Sequence, residues 1–466
     1  MLFNSDVFLR FFAAFLLLYY LARGSLRLRN LLLVAASYLF YGWWDYRFLA
    51  LLLASTVLDF SVGLGLQATQ ELPLRRAWLG LSLAGNLGML GFFKYYGFFA
   101  ESFATLLGHF GLRPSLLTLH VVLPVGISFY TFQTLSYAID VFRRKIPATR
   151  DFLRFATYVS FFPQLVAGPI ERGGHLLPQF SQTRTIARTM VIEGLWLMIW
   201  GMFKKVVVAD NLAPLVEMVY HAPPNSSPMV ILATIAFGLQ IYGDFSGYSD
   251  IARGIARVLG FELMLNFNLP YLATNPRDFW RRWHISLSTW LRDYLYISLG
   301  GNRLGRTRTA LNLWLTMLLG GLWHGAAWNY VLWGCWHGGG LVAHRAWSGD
   351  RNNAEGRWKP LAWAGTVLFV SYGWLLFRAG SLEHILALTS ALAHWNAPPY
   401  IYGYLLSLTV FSAPLLMMQW WQSRSGDLLI PLRSPPPVLG LVEGLLIWSI
   451  LIFWRKDSTP FIYFQF

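Results

Sequence analysis

The residues from Leu318 to Gly340 read LLGGLWHGAAWNYVLWGCWHGGG and lie inside an apolar tract that runs from Thr309 to Trp347. One continuous helix over that tract would be roughly 58 Å long, almost twice the thickness of the hydrocarbon core of a bilayer. The tract must therefore break. The glycines on both sides of His324 place the break at that histidine, among tryptophans, where a cavity can form.

The rest of the chain has the composition of a membrane protein. Its 466 residues are 56% hydrophobic and only 13% charged, against about 25% charged in a typical soluble protein. This excludes a soluble enzyme, a disordered protein and a fibrous protein. We predict an all-α polytopic membrane protein with about 10–12 spans, forming a single integral-membrane domain over residues 1–466. Segment Phe161–Pro169, which two prolines and a glycine interrupt, is predicted to be re-entrant.

Positive charge is distributed along the chain in short clusters between the apolar runs. Lys and Arg number 37 and Asp and Glu 22, a net charge of +15. This is the positive-inside pattern of membrane proteins, so nucleic acid is not an expected partner. The first basic cluster, which ends at Arg29, follows the first apolar run. We therefore expect an uncleaved first span, with the N-terminus outside.

Polar residues interrupt two of the apolar segments. Gln133 lies in PVGISFYTFQTLSYAIDVFRRK, and Asp244 and Tyr248 lie in YGDFSGYSDIARG. Because polar groups are costly in a bilayer, we assign these three residues to a substrate tunnel. Hydrogen bonding between helices is the alternative for Gln133, and a buried pair with a distant Arg is the alternative for Asp244. Asp250 and Arg253, three residues apart, are expected to pair with each other.

The segment from Tyr271 to Arg308 contains seven Arg and two Asp residues. Asn275 followed by Pro276 is typical of a helix start. The spacing that follows predicts one amphipathic interfacial helix with His284 on its apolar face. A histidine there can be a hydrogen-bonded core residue or a functional one.

His324 has two interpretations from the residues alone. A neutral imidazole in a helix break can accept a proton near neutral pH, or it can simply be hydrogen-bonded between packed helices. His337, in the same tract, is interpreted as structural. We predict no metal site, because ligand spacing is absent from the sequence. No serine-nucleophile motif is present either.

Several long segments resemble the membrane-bound O-acyltransferases. They include WHGAAW around His324, SFFPQLVAGPIER, PVGISFYTFQTLSYAIDVF, the run from Tyr242 to Arg303, and the ending FIYFQF. The similarity is to the branch that acetylates alginate and cellulose or transfers D-alanine to teichoic acid. The resemblance implies a ring of helices around a central tunnel with a cytoplasmic funnel. It also implies that His324 is catalytic and that His284 is a second site histidine.

The function implied by this resemblance is acyl transfer across the membrane. We expect an acetyl group to pass from cytoplasmic acetyl-CoA to a hydroxyl reached from the far side, with no bound cofactor. Trp323 and Trp328 would wall the tunnel. The donor-binding residues would be Arg281, Arg282 and Arg292, which could equally be positive-inside anchors.

Three classes of function stay open from the sequence. The first is the acetylation of an exported polysaccharide similar to alginate or cellulose, with a periplasmic acetyltransferase as partner. The second is a D-alanyl or other acyl transferase fed by a carrier protein. The third is a channel or exporter without catalysis, which should have two similar halves that this sequence lacks. The expected location is the bacterial inner membrane.

Overall fold

The computed structural model of the protein describes residues 1–22, 24–112, 122–183, 185–222, 225–348, 358–455 and 461–462. Within these ranges all regular secondary structure is helical and no strand occurs, which confirms the all-α prediction. The last four residues of the FIYFQF ending lie outside the described residues. The chain divides into two compact units, residues 1–187 with 259–264, and residues 188–258 with 265–466. The single-domain prediction stays a prediction.

The first unit consists of long helices followed by short ones. They are α1 Asp6–Leu21, α2 Leu26–Gly42, α3 Leu49–Ala68, α4 Leu72–Leu90, α5 Tyr96–His109, α6 Ile127–Phe142, α7 Phe152–Ser160, α8 Phe162–Leu165 and α9 Gly173–Leu176. Residues 155–171 are buried without a gap. The prolines and the glycine of this segment limit its helices to short pieces, as expected, while its re-entrant position in a membrane stays a prediction.

A polar junction joins α3 to α4 inside the first unit. The Asp59 carboxylate accepts hydrogen bonds from Ser82 Oγ at 2.5 Å and from Asn86 Nδ2 at 2.7 Å, and Ser55 Oγ donates to Asn86 Oδ1 at 2.8 Å. All four side chains are fully buried. Interhelical hydrogen bonds of this kind stabilise membrane helix pairs by about 0.6 kcal/mol each.

The second unit holds the remaining helices. They are α10 Arg188–Phe203, α11 Asp210–His221, α12 Ser227–Val258, α13 Pro276–Arg282, α14 Ile285–Trp290, α15 Gly305–His324, α16 Trp328–Ser348, α17 Lys359–Arg378, α18 Leu382–Ala391, α19 Ile401–Ser425 and α20 Pro436–Phe453. Among the described helices, five segments are long and apolar enough to cross a membrane: Tyr46–Ala68, Ser227–Val258, Lys359–Arg378, Ile401–Ser425 and Pro436–Phe453. The estimate of 10–12 spans stays a prediction.

Two consecutive lysines carry buried charge between α10 and α12. A π-helical turn over Lys204–Ala209 follows α10, and both lysine side chains are buried. Lys204 Nζ lies 2.6 Å from Asp250, which also pairs with Arg253 at 3.2 Å. The expected pairing of Asp250 with Arg253 is thus confirmed, and Lys204 completes a buried network that the sequence spacing did not indicate.

Candidate active site

The predicted helix break is present at His324. Helix α15 ends at this residue, Gly325 is its C-cap, and α16 begins at Trp328. The long apolar tract is therefore a helical hairpin, as its length required. Because His324 is the last helical residue before the turn, its side chain lies where the two helices of the hairpin join.

Glycines allow the two helices of the hairpin to touch backbone to backbone. A Cβ atom built on Gly334 of α16 would lie 2.6 Å from Met317 O of α15, and one on Gly321 of α15 would lie 2.2 Å from Tyr330 O of α16. Real Cβ contacts are not that short. The hairpin therefore depends on the absence of side chains at these two positions, which fixes the place of His324.

Substitution Gly334→Ala is expected to destabilise the protein by about 1–3 kcal/mol, because an added methyl group overpacks the hairpin. Any activity that depends on His324 should fall together with stability, since the shift moves this residue. The matched control is Gly339→Ala on the same helix, where an added Cβ meets no atom within 4 Å. Thermal unfolding and activity assays of the two purified variants compare their stability and their activity. Equal stability of the two variants would contradict the hairpin packing.

Aromatic rings surround the His324 imidazole on several sides. Its ring centroid lies 5.1 Å from that of Trp323, 5.0 Å from that of Trp333 and 5.3 Å from that of Phe377. All three rings are nearly perpendicular to the imidazole. His324 is only 4% exposed, yet it lines a cavity. The rings hold the imidazole rigidly while one side of it borders open space.

The predicted continuous helix through His284 is wrong. Asn275 does cap the start, since its Oδ1 accepts from the backbone N–H of Asp278 at 2.7 Å. Helix α13 then ends at Arg282, and α14 begins again at Ile285. Between them His284 has φ 43° and ψ 55°, the left-handed conformation. Periodicity alone could not reveal this kink, because contacts with distant segments hold it.

His284 lies beside His324 in the second unit. The two imidazole centroids are 6.4 Å apart, and Trp323 contacts both, at 5.8 Å from His284 and 5.1 Å from His324. Phe245 packs edge-on against His284 at 4.6 Å. Burial lowers the pKa of His284 to about 3, so its imidazole is neutral at physiological pH. The two imidazoles therefore belong to one aromatic cluster, and of the two only His324 is among the residues that line the neighbouring cavity.

A cavity of about 590 Å³ has His324 among its lining residues. The α13–α14 segment, the π-helical turn Leu291–Tyr296 and the α15–α16 hairpin supply most of the wall. The lining includes Arg277, Arg281, Arg292, His324, Trp333 and Arg345. The volume lies within the range of small-molecule sites, about 300–1,000 Å³.

The cavity is strongly basic. Four arginines line it, of which Arg292 also pairs with Asp293 at 2.7 Å, and none of its described lining residues is Asp or Glu. Of the predicted donor-binding residues, Arg281 and Arg292 belong to this lining. Arg282 does not, and its Nε donates to Asp278 at 3.0 Å. The electrostatic potential of such a site favours an anionic ligand.

The predicted tunnel residues near His324 differ in position. Trp323 is 3% exposed and lies between the two histidines. Trp328 begins α16 and is 52% exposed. Neither indole is among the residues that line the cavity. Their role as walls of a tunnel stays a prediction.

The predicted polar tunnel residues are engaged elsewhere. Asp244 pairs with Lys205 at 2.8 Å and accepts the backbone N–H of Ile462 at 2.6 Å. The distant partner is thus a lysine instead of an arginine. The Tyr248 ring packs on Phe461 at 5.0 Å.

Gln133 belongs to the first unit, where its Nε2 donates to Tyr158 O at 2.6 Å. This contact is the hydrogen bonding that the alternative interpretation expected for a glutamine in an aromatic helix. A tunnel role for Asp244, Tyr248 or Gln133 stays a prediction.

Sequence reasoning did not identify several residues of the cavity. Arg277 and Arg345 are 68 positions apart in the sequence, and only the fold places both on one wall. Trp333 and Phe377, which pack on His324, carry no signal that separates them from other core aromatics. The one available signal was the position of Arg345 at the end of the apolar tract.

These observations define a helical membrane protein with a buried histidine beside a basic cavity. The sequence profile of the membrane-bound O-acyltransferase family matches residues 86–383. The chain belongs to this family, and it is an O-acyltransferase.

Curated relatives refine the comparison. The chain is 41% identical over 492 aligned residues to a probable alginate O-acetylase of Pseudomonas putida, an alignment that covers 100% of both chains. It is 39% identical to a peptidoglycan O-acetyltransferase of Helicobacter pylori, over 79% of this chain and 74% of the relative. It is 28% identical to a teichoic acid D-alanyltransferase of Streptococcus thermophilus, over 48% of this chain and 57% of the relative.

Proposed function

We propose that the protein transfers an acetyl group from acetyl-CoA to a hydroxyl group, for the O-acetylation of an exported polysaccharide similar to alginate. The observation that carries the proposal is His324, held by aromatic rings at a cavity that four arginines line. The full-length similarity to a relative named for alginate acetylation supports the acceptor class.

The transfer needs one bond exchange and one proton transfer. His324 accepts the proton of the acceptor hydroxyl while that oxygen attacks the thioester carbonyl carbon. The carbon–sulfur bond then breaks, and the proton passes to the departing thiolate. General base catalysis of this kind contributes about 10²- to 10⁴-fold. Because the thioester is already activated, no covalent enzyme intermediate is required.

His284 would act on the same reacting group from the neighbouring position. A neutral imidazole carries one N–H donor and one acceptor nitrogen. It can therefore orient the thioester or donate to its carbonyl oxygen as negative charge develops there. The centroid separation of 6.4 Å from His324 is that of two neighbouring rings, so His284 would act from the wall beside His324.

The arginines would bind the anionic part of the donor. Coenzyme A carries three phosphates, and Arg277, Arg281, Arg292 and Arg345 line the wall of the cavity. Guanidinium groups recognise phosphate oxygens with paired, charge-assisted hydrogen bonds. On this proposal the cavity opens to the cytoplasm, which agrees with the positive-inside orientation, and the N-terminus lies outside.

The acceptor side would involve a second protein. We propose that the acetyl group passes to a periplasmic acetyltransferase partner and then to the polysaccharide, with the chain residing in the inner membrane. A carrier-dependent D-alanyl transferase is the second candidate, and the similarity to a teichoic acid D-alanyltransferase supports it. Both candidates use the same histidine and differ in the donor.

Purified protein incubated with labelled donors separates these candidates. We expect release of thiol and acyl transfer with acetyl-CoA, and little transfer with a D-alanyl carrier protein. His324→Ala is the negative control for each donor. Efficient use of the D-alanyl carrier, with no turnover of acetyl-CoA, would contradict the proposal and favour the second candidate.

A further inference from the structure

The backbone at His284 needs an external restraint. His284 is one of three non-glycine residues with positive φ among the described residues. A side chain with a Cβ atom is strained in this conformation, which persists only where the surroundings hold it. His284 is fully buried. The restraint must therefore come from contacts inside the second unit.

Asn266 supplies that restraint through three hydrogen bonds to the residues that follow His284. Its backbone O accepts the Ile285 N–H at 2.9 Å. Its Oδ1 accepts from the Ser286 N–H at 3.2 Å and from Ser286 Oγ at 2.9 Å. One asparagine thus satisfies the first two backbone donors of α14, which a helix start otherwise leaves unpaired.

The remaining donor of Asn266 links this turn to α12. Asn266 Nδ2 donates to Ser249 Oγ at 3.1 Å. Phe245, one helical turn before Ser249, packs edge-on against the His284 imidazole at 4.6 Å. The same helix therefore holds both the backbone of the left-handed turn, through Asn266, and the face of the imidazole. Asn266 and Ser249 are each only 1% exposed.

We propose that Asn266 is a positioning residue for acyl transfer, which holds His284 in its left-handed conformation and so aims the imidazole at the reacting group beside His324. This inference rests on the proposed function, because it assigns His284 a part in transfer. Asn266 is not among the residues that line the cavity. Its loss leaves the arginine-lined cavity in place, so donor binding should persist while turnover falls.

The first test is Asn266→Ala in the full-length protein, compared with Asn211→Ala. Asn211 is a partly buried asparagine of the same unit that donates to Val206 O at 2.8 Å and does not contact the site. We expect Asn266→Ala to lower kcat by about 10- to 100-fold, with the KM for acetyl-CoA nearly unchanged. Asn211→Ala should keep the wild-type kcat. An unchanged kcat, or an effect confined to KM, would overturn the proposal.

A double-mutant cycle separates positioning from general destabilisation. If Asn266 acts through His284, then Asn266→Ala should lower kcat no further in a His284→Ala background. Additive losses would overturn the proposal. If Asn266→Ala does not fold, Ser249→Ala replaces it, because this change removes only the acceptor of Asn266 Nδ2. Ser249→Ala should lower kcat by a smaller factor, and it too should lower kcat no further in the His284→Ala background. The outcome for His324→Ala is independent, so failure of the proposed function is distinguishable from failure of this inference.

Discussion

His324→Ala is expected to lower kcat for acyl transfer by about 10²- to 10⁴-fold, the usual contribution of a general base. The imidazole borders the basic cavity and is held by three aromatic rings, and the alanine side chain cannot accept the proton. The KM for the donor should change little, since the arginines remain. Steady-state kinetics with labelled acetyl-CoA, at equal amounts of membrane-inserted protein, measure the effect.

The control for this prediction is His394→Ala. His394 is exposed, and its Nδ1 contacts only the backbone O of Ser390, at 3.1 Å, among the contacts described. We expect wild-type transfer from this variant. Full activity of His324→Ala would show that His324 is not the base and would remove the central assignment.

The double substitution Arg277→Ala with Arg345→Ala is expected to raise the KM for acetyl-CoA strongly. A hydrogen bond to a charged group contributes about 1.5–3 kcal/mol, which corresponds to roughly 10- to 100-fold for each arginine that meets a phosphate. Because the proposed bond exchange and proton transfer use neither guanidinium, kcat should stay close to that of the wild type. Initial rates over a range of acetyl-CoA concentrations show whether KM rises while kcat stays unchanged.

Two controls make this prediction specific. The double substitution Arg424→Ala with Arg433→Ala also removes two positive charges, at positions that do not line the cavity. It should leave the KM for acetyl-CoA unchanged. Acetylated N-acetylcysteamine is a thioester donor without phosphates, so the cavity variant should use it as well as the wild type does. An equal loss of transfer activity with both donors would mean that the arginines shape the site and do not bind phosphate.

Much of the candidate site could be predicted because its signals are local. The tract around His324 is longer than a membrane span, so it had to break, and its glycines marked where. Asn275 and Pro276 marked a helix start in the same way. The similarity to known transferases then selected His324 and His284 among the histidines of the chain.

Other parts of the site depend on contacts between segments that are far apart in sequence. The spacing of apolar residues predicted a continuous helix through His284, whereas Asn266 and Phe245 hold a left-handed turn there. Lys205 lies 39 positions from Asp244, its buried partner. Neither the turn at His284 nor the ion pair of Lys205 with Asp244 can be recognised from neighbouring residues. Hydrogen bonds and ion pairs between helices do not follow a fixed spacing in the sequence.

Composition alone identifies a helical membrane protein, since too few charged residues exist to coat a soluble surface. The length of one apolar tract and its glycines then predict a helix break at a histidine. The arginines that share a cavity with that histidine, and the contacts that surround the second imidazole, are visible only in the folded chain. The physical reason is that hydropathy and chain length constrain each segment separately. Electrostatic and packing geometry arises only when segments distant along the chain come into contact.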